Sequence, residues 1–156
     1  MPRAPELPRL DRRSVRAPSP TIPVTIQDLA ATLPNGFHDS QVHVVSVDFG
    51  ARTAELTLHV CVGDMDRPSG PEREKSRKAR LTLVGLEYLA IEPPDPRYPY
   101  REAGPIGIDL CEPDDGVATS RPCVRTGFTG RLFVADWNSF IHFAAADARL
   151  DWLEPC

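Results

Sequence analysis

Two alternating apolar runs within residues 41–62 constrain the fold of this chain more than any other feature. The segment reads QVHVVSVDFGARTAELTLHVCV. The apolar residues that share one face are Val45, Val47 and Phe49 in the first run and Ala54, Leu56, Leu58, Val60 and Val62 in the second. Alternation with a period of two is typical of strands whose sheet has one buried side. The segment therefore predicts a β-hairpin that turns at residues 49–52.

A short helix is predicted before this hairpin. Thr25 and Asp28 form a capping-box pattern, in which each side chain can bond the backbone N–H of the other residue. Apolar residues then recur at helical spacing as far as Leu33, and residues 34–36 (Pro-Asn-Gly) end the pattern.

The rest of the chain favours further strands. The alternating runs are residues 79–84, 86–91, 106–110, 132–137, 139–145 and 150–152. Gly85 interrupts the alternation and predicts a β-bulge. An amphipathic helix over residues 140–153 is the competing interpretation of the last runs. Because β and α elements do not alternate, we expect a mainly β fold: an antiparallel sandwich or partly open barrel of about seven strands with one short N-terminal helix.

Length and composition indicate a single β-rich domain over residues 24–156, preceded by a disordered arm over residues 1–23. The arm has six prolines and five arginines and little apolar surface to bury. The chain has no apolar stretch long enough for a secretory signal or a membrane span. Its cysteines are widely spaced: Cys61, Cys111, Cys123 and Cys156. We therefore expect a cytoplasmic protein with free thiols and no membrane association.

The charge is unevenly distributed. The net charge is −4, and the arm contributes +3 (five arginines against Glu6 and Asp11), which leaves −7 for the body. An acidic body argues against nucleic acid as the partner. The one basic run, residues 73–80, is predicted to be a solvated loop beside a strand.

Two segments carry the residue types that dominate protein interfaces. Arg97, Tyr98 and Tyr100 lie among prolines, and Trp137 and Asn138 lie at a predicted hairpin turn. Tyr, Trp and Arg bury much area and keep a polar group, so these five residues are candidate binding residues.

Residues in three further segments, most of them polar or acidic, could also form a site. The candidates are Phe37, His38 and Asp39 before the hairpin, Asp64 and Asp66 after it, and Asp136 near the C-terminus. Imidazole and carboxylate groups of His38, Asp39, Asp136 and His142 would suit zinc or iron if they converged. No recognised catalytic or phosphate-binding motif is present. We therefore predict no metal or other cofactor and assign no catalytic residue.

Three segments resemble a family of uncharacterised bacterial proteins. They are LPNGFHDS at residues 33–40, GDMD at 63–66 and DWNSFIH at 136–142. In that family a His-Asp segment leads into a strand of the type seen here from Val47 to Thr53. The resemblance covers roughly residues 30–153 and implies no activity, since the family's function is unassigned. The chain also has a looser likeness to small β-rich immunity proteins of bacterial toxin systems.

These observations favour a non-enzymatic module that binds a protein partner, an immunity-type factor being one form of it. The first alternative is a small metal- or carboxylate-dependent enzyme that uses His38, Asp39, Asp64, Asp66 and His142. The second is a structural subunit that forms a homodimer or larger homo-oligomer, because apolar residues (Val42, Val44, Val84) occur on both faces of the strands.

Overall fold

The structure, a computed structural model, describes residues 22–98, 104–111 and 127–153. Residues 1–21 of the predicted arm lie outside this range. The elements are α1 (Ile26–Ala31), β1 (Ser40–Asp48), β2 (Thr53–Cys61), β3 (Ser76–Val84), β4 (Tyr88–Ile91), β5 (Ile106–Leu110), β6 (Phe128–Val134), β7 (Ser139–Ala145) and β8 (Asp147–Trp152). All strand pairs are antiparallel and belong to one sheet. The predicted mainly β fold with a short N-terminal helix is confirmed.

The predicted hairpin is formed by β1 and β2, and Asp48 pairs with Thr53 across its turn. A bulge between Val42 and Val44 changes the alternation of β1. Val42 therefore points into the core, whereas Val44 is 55% exposed. The bulge therefore explains why apolar residues lie on both faces of β1. The homo-oligomer hypothesis, which was based on these residues, stays a prediction. Phe49 was predicted to share a face with Val45 and Val47. It lies instead at the tip of the hairpin and is 88% exposed.

The helix begins where the capping box predicts. The Thr25 side chain accepts a hydrogen bond from the Asp28 backbone N–H at 3.1 Å, and the Asp28 carboxylate accepts one from the Thr25 N–H at 2.8 Å. The bond from the Thr25 N–H, and after it a bond of 2.7 Å from the Thr25 hydroxyl to the same carboxylate, hold the pKa of Asp28 below its usual range. The helix ends at Ala31 with Thr32 as its C-cap, and Gly36 has φ +58°, a left-handed conformation that favours glycine.

The sheet bends at Gly85 and Ala146 and returns on itself. The strand order is β4-β7-β6-β5-β1-β2-β3-β8, so β4 and β8 are its two ends. β4 nevertheless continues β3, and β8 continues β7. Two backbone bonds join the halves across the bend, from Ala146 N–H to Val84 O and from Glu87 N–H to Ala144 O, both 2.9 Å. The partly open barrel therefore describes the fold best, with layers β1-β2-β3-β8 and β5-β6-β7-β4.

Gly85 is the predicted bulge. The register moves by one residue between the pairs Val84–Asp147 and Tyr88–Ala144. Gly85 has φ +65°, and a Cβ at this position would lie 2.8 Å from the Ala146 Cβ. The bend needs both the conformation and the small size of glycine.

One hydrophobic core lies between the two layers. The inward residues with at most 3% exposure are Ile26, Phe37, Val42, Ala54, Leu56, Leu58, Val60, Ala79, Leu81, Leu83, Ile108, Leu132, Val134, Ile141, Phe143, Ala145 and Ala148. The predicted face of β2 is confirmed up to Val60. Burial of large aliphatic side chains such as Leu81 is worth roughly 1.5–3 kcal/mol each.

One sequence interpretation is wrong, and one choice between two interpretations is now decided. The basic run at residues 73–80 is not a loop throughout, because residues 76–80 pair with β2 as the first half of β3. The C-terminal segment is strand rather than helix, because β7 pairs with both β6 and β4 and β8 pairs with β3. The described part of the chain has no helix that is long and apolar enough to cross a membrane.

Candidate functional site

The proline-rich segment that follows β4 packs against the turn between β6 and β7. The Asp95 N–H donates to Trp137 O at 2.8 Å, and the Asn138 side-chain N–H donates to Asp95 Oδ2 at 3.1 Å. Two candidate binding segments, distant in sequence, therefore form one surface. We call it the Asp95 corner; it comprises Asp95, Arg97, Tyr98, Trp137 and Asn138.

The carboxylate of Asp95 organises this corner. Its side chain is 16% exposed, and it accepts hydrogen bonds from Arg97 Nη2 at 2.6 Å and from the Arg97 backbone N–H at 3.0 Å. The Tyr98 N–H closes the turn on Asp95 O at 2.8 Å. The hydrogen bonds from Arg97, and then that from Asn138, hold the pKa of Asp95 far below its usual range. Asp95 is therefore ionised at any physiological pH, and the turn keeps its shape.

The corner presents Arg97 and Tyr98 to solvent. The Arg97 side chain is 81% exposed although its guanidinium is paired, and Tyr98 is 49% exposed. Trp137 differs, because it is half-buried and packs against the core. Asn138 has φ +48°, a conformation that asparagine tolerates. Tyr100, the fifth predicted binding residue, lies outside the described residues.

A stripe of half-buried side chains continues from the corner along the outer face of β6 and β7. The Phe133 and Phe140 rings lie 5.4 Å apart, and the Arg131 guanidinium lies 5.1 Å from the centre of the Phe140 ring. Glu92 secures the stripe, because its carboxylate accepts from the Phe140 N–H at 3.0 Å and lies 2.9 Å from His142 Nε2. We call these five residues the aromatic stripe. Arginine over an aromatic ring is a favourable contact.

The residues predicted before the hairpin are placed differently. Phe37 is 1% exposed and belongs to the core, so it is not available on the surface. His38 Nδ1 lies 2.6 Å from Asp109 Oδ1, and His38 Nε2 lies 3.6 Å from Asp39. The hydrogen bond and charge of Asp109, and to a smaller degree the charge of Asp39, raise the pKa of His38. This is an exposed carboxylate–imidazole pair.

Of the remaining predicted acids, Asp64 caps its own turn, and Asp136 joins the turn between β6 and β7 to β5. Asp64 accepts from the Asp66 N–H at 3.1 Å and from Arg67 Nε at 3.3 Å, and Asp136 accepts from the Gly107 N–H at 2.9 Å. Within residues 22–98, 104–111 and 127–153, no three His, Cys, Asp or Glu side chains are placed to hold a metal ion. His38 and His142, which the metal hypothesis would bring together, have separate carboxylate partners, Asp109 and Glu92.

A second concave surface lies on the outer face of β2. It has a volume of about 280 Å³ and is lined by Asp39, Gln41, His59, Cys61, Met65, Arg73, Glu74 and Ser76. We call it the Cys61 cleft. At its edge the His43 and His59 rings lie 4.2 Å apart, in a contact between β1 and β2. Burial, together with the nearby His59 and Lys78, lowers the pKa of His43.

The sequence did not indicate the anchoring roles of Asp95 and Glu92. Both acids are in a segment in which prolines ended the strand pattern, and their partners, Asn138 and His142, follow more than forty residues later. The local signal for Asp95 is Arg97 two residues away, a spacing that permits a side-chain turn. For the aromatic stripe the signal is that both faces of β7 carry large apolar residues.

Comparisons with known proteins give no match: no protein-family model, curated protein or solved structure matches the chain. The resemblance to an uncharacterised bacterial family stays a prediction.

Proposed function

We propose that this domain is a non-enzymatic binding module that holds a protein partner at the Asp95 corner and the adjoining aromatic stripe. The observation that carries this proposal is the anchoring of Asp95, which fixes Arg97 and Tyr98 in an outward position before any partner arrives. A loop that is ordered in advance loses less conformational entropy when it binds.

The composition of the surface also supports a protein partner. Protein interfaces are enriched in Tyr, Trp, Phe and Arg, and their binding energy is concentrated in a few such residues. The corner supplies Arg97 and Tyr98, and the stripe supplies Phe133 and Phe140 with Arg131 above one ring. We expect Tyr98 to contribute most, because its ring is half-exposed while its backbone N–H is held by Asp95.

The charge of the chain suggests the chemistry of the partner. The body carries −7, and the field of an acidic domain attracts a basic surface and accelerates its association. We therefore expect a partner with a basic surface that surrounds a site for Tyr98. An immunity-type factor that neutralises a basic toxin would fit this description, and we expect it to act in the cytoplasm.

Site-specific photo-cross-linking tests the proposal. A photoreactive phenylalanine analogue at position 98 should cross-link a partner, whereas the same analogue at position 49 should not. Phe49 is the matched control because it is a more exposed aromatic residue, at the tip of the β1–β2 hairpin. Tyr98→Ala and Arg97→Ala should each weaken binding of the captured partner at least tenfold, and Phe49→Ala should leave it unchanged. Equal cross-linking at both positions would disprove a binding role for the corner.

A further inference from the structure

The Cys61 cleft contains two sulfur atoms that the proposed binding surface does not use. Cys61 is 8% exposed at the end of β2, and Met65 is half-buried four residues later. Their Sγ and Sδ atoms are 4.0 Å apart. Both residues line the same cavity, so the two sulfurs face a space that a small ligand can enter.

The separation of the sulfurs suits two ligands of one metal ion. At metal–sulfur distances of about 2.3 Å, a spacing of this size corresponds to a sulfur–metal–sulfur angle of about 120°. That angle is the one expected for three ligands in a plane. A third ligand of suitable chemistry lies close by, because His59 precedes Cys61 by two residues, on the same face of β2, and lines the cleft.

The surroundings hold the thiol in position. Asn35 donates from Nδ2 to Gly63 O at 2.8 Å, which fixes the chain just beyond Cys61, and the same nitrogen lies 3.7 Å from Sγ. The loop that carries Met65 is closed by backbone bonds, including Val62 N–H to Lys75 O at 2.9 Å.

The donor types select the ion. Thiolate and thioether sulfur are soft ligands, and together they select monovalent copper over harder ions. Zinc sites in proteins are built from His, Cys, Asp and Glu side chains. In the part of the chain that the structure describes, no three such side chains are placed together to hold a metal ion. We propose that Cys61 and Met65 bind one Cu(I) ion in the Cys61 cleft and that His59 completes its coordination. Binding replaces the thiol S–H bond with an S–Cu bond and releases one proton to solvent, with no change in oxidation state.

A competitive titration tests this inference. The full-length chain in which Cys111, Cys123 and Cys156 are replaced by serine keeps Cys61 as its one thiol and provides the background. Under anaerobic conditions it should take one equivalent of Cu(I) from a copper(I) chelator such as bathocuproine disulfonate. In that background Cys61→Ser should abolish binding, Met65→Leu should weaken it at least tenfold, and His59→Gln should weaken it by a smaller factor.

X-ray absorption separates coordination from a structural effect of these variants. Met65→Leu keeps the volume of the side chain, so its fold should be intact by circular dichroism. The background protein should show two sulfur ligands at about 2.3 Å, and its Met65→Leu variant should show one. Binding that survives Cys61→Ser, or an unchanged affinity and sulfur count in Met65→Leu, would overturn the inference. Neither result bears on the Asp95 corner, which shares no residue with the cleft.

Discussion

The polar segments that follow β2 and β4 are held in place by different means. The segment after β2, residues 62–75, is closed by backbone hydrogen bonds between its own two arms, among them Asp64 N–H to Glu72 O at 2.9 Å. The segment after β4, residues 92–98, contains three prolines and therefore has few backbone donors. It depends on the Asp95 side chain and the contacts of Glu92. The first segment should therefore tolerate most side-chain changes, whereas the second should be sensitive to one carboxylate.

Gly63 is the exception in the first segment and should give the largest effect. A Cβ at this position would lie 1.9 Å from Arg73 O, so Gly63→Ala must separate the two arms. We expect the free energy of unfolding to fall by about 3 kcal/mol, measured by urea denaturation. Gly50→Ala is the control, because its Cβ would meet one side-chain oxygen at 3.3 Å. That control should change stability by less than about 0.5 kcal/mol, and equal losses would contradict the steric argument.

Asn35 ties the same segment to the end of the helical region and should give the next largest effect. Asn35→Ala removes the bond to Gly63 O and leaves that carbonyl without its side-chain donor. The expected loss is about 1–2 kcal/mol in urea denaturation. Gln41→Ala, at an exposed position of β1, provides the reference for a polar residue replaced by alanine. If both variants unfold at the same urea concentration, the amide does not anchor the segment.

Asp95→Asn tests the second segment directly. The substitution keeps the size of the side chain but removes the charge that pairs with Arg97. We expect hydrogen exchange of the Arg97 backbone N–H to accelerate roughly tenfold, since this group donates to Asp95 Oδ1. Asp136→Asn removes an equal charge from the neighbouring turn and should leave that exchange rate unchanged.

Acidification of the wild-type protein gives a further check on the Asp95 carboxylate. The pKa of Asp95 lies well below its usual range, so protection should persist below pH 4 and be lost as the pH falls through the folded pKa.

The smallest effect concerns the pH dependence beside the Cys61 cleft. The folded pKa of His43 lies below 6.5, so its contribution to stability is complete above that pH and declines as the pH falls through the folded value. His43→Gln should therefore flatten the decline in urea midpoint on the acidic side of pH 6.5.

The pH dependence of stability at His38 has the opposite sign: the contribution of His38 is complete below pH 6.5 and is lost as the pH rises through its raised pKa. Asp109→Asn should lower the pKa of His38 in an NMR titration, and an unchanged value would exclude that pairing.

The parts of the fold that the sequence predicts are those specified by neighbouring residues. Alternation in β1 and β2 and the turn at residues 49–52 determine a local hairpin, and Thr25 with Asp28 determines the start of α1. The pairing of β3 with β8 and of β1 with β5 could not be predicted, because these contacts join distant segments of similar pattern. The Asp95 corner illustrates the same limit. Arg97 and Trp137 could each be selected by residue type, but their shared anchor depends on which strands become neighbours.

The pairing of β3 with β8 also determines when this protein can fold. β3 obtains its second partner when Ala79 meets Trp152 and Val84 meets Asp147, so the ladder joins an early segment to the last described strand. Helix α1 has its main contacts with that same strand. During synthesis, α1 and one edge of β3 therefore lack their contacts with β8 until β8 leaves the ribosome. Contacts so far apart in sequence make folding slow.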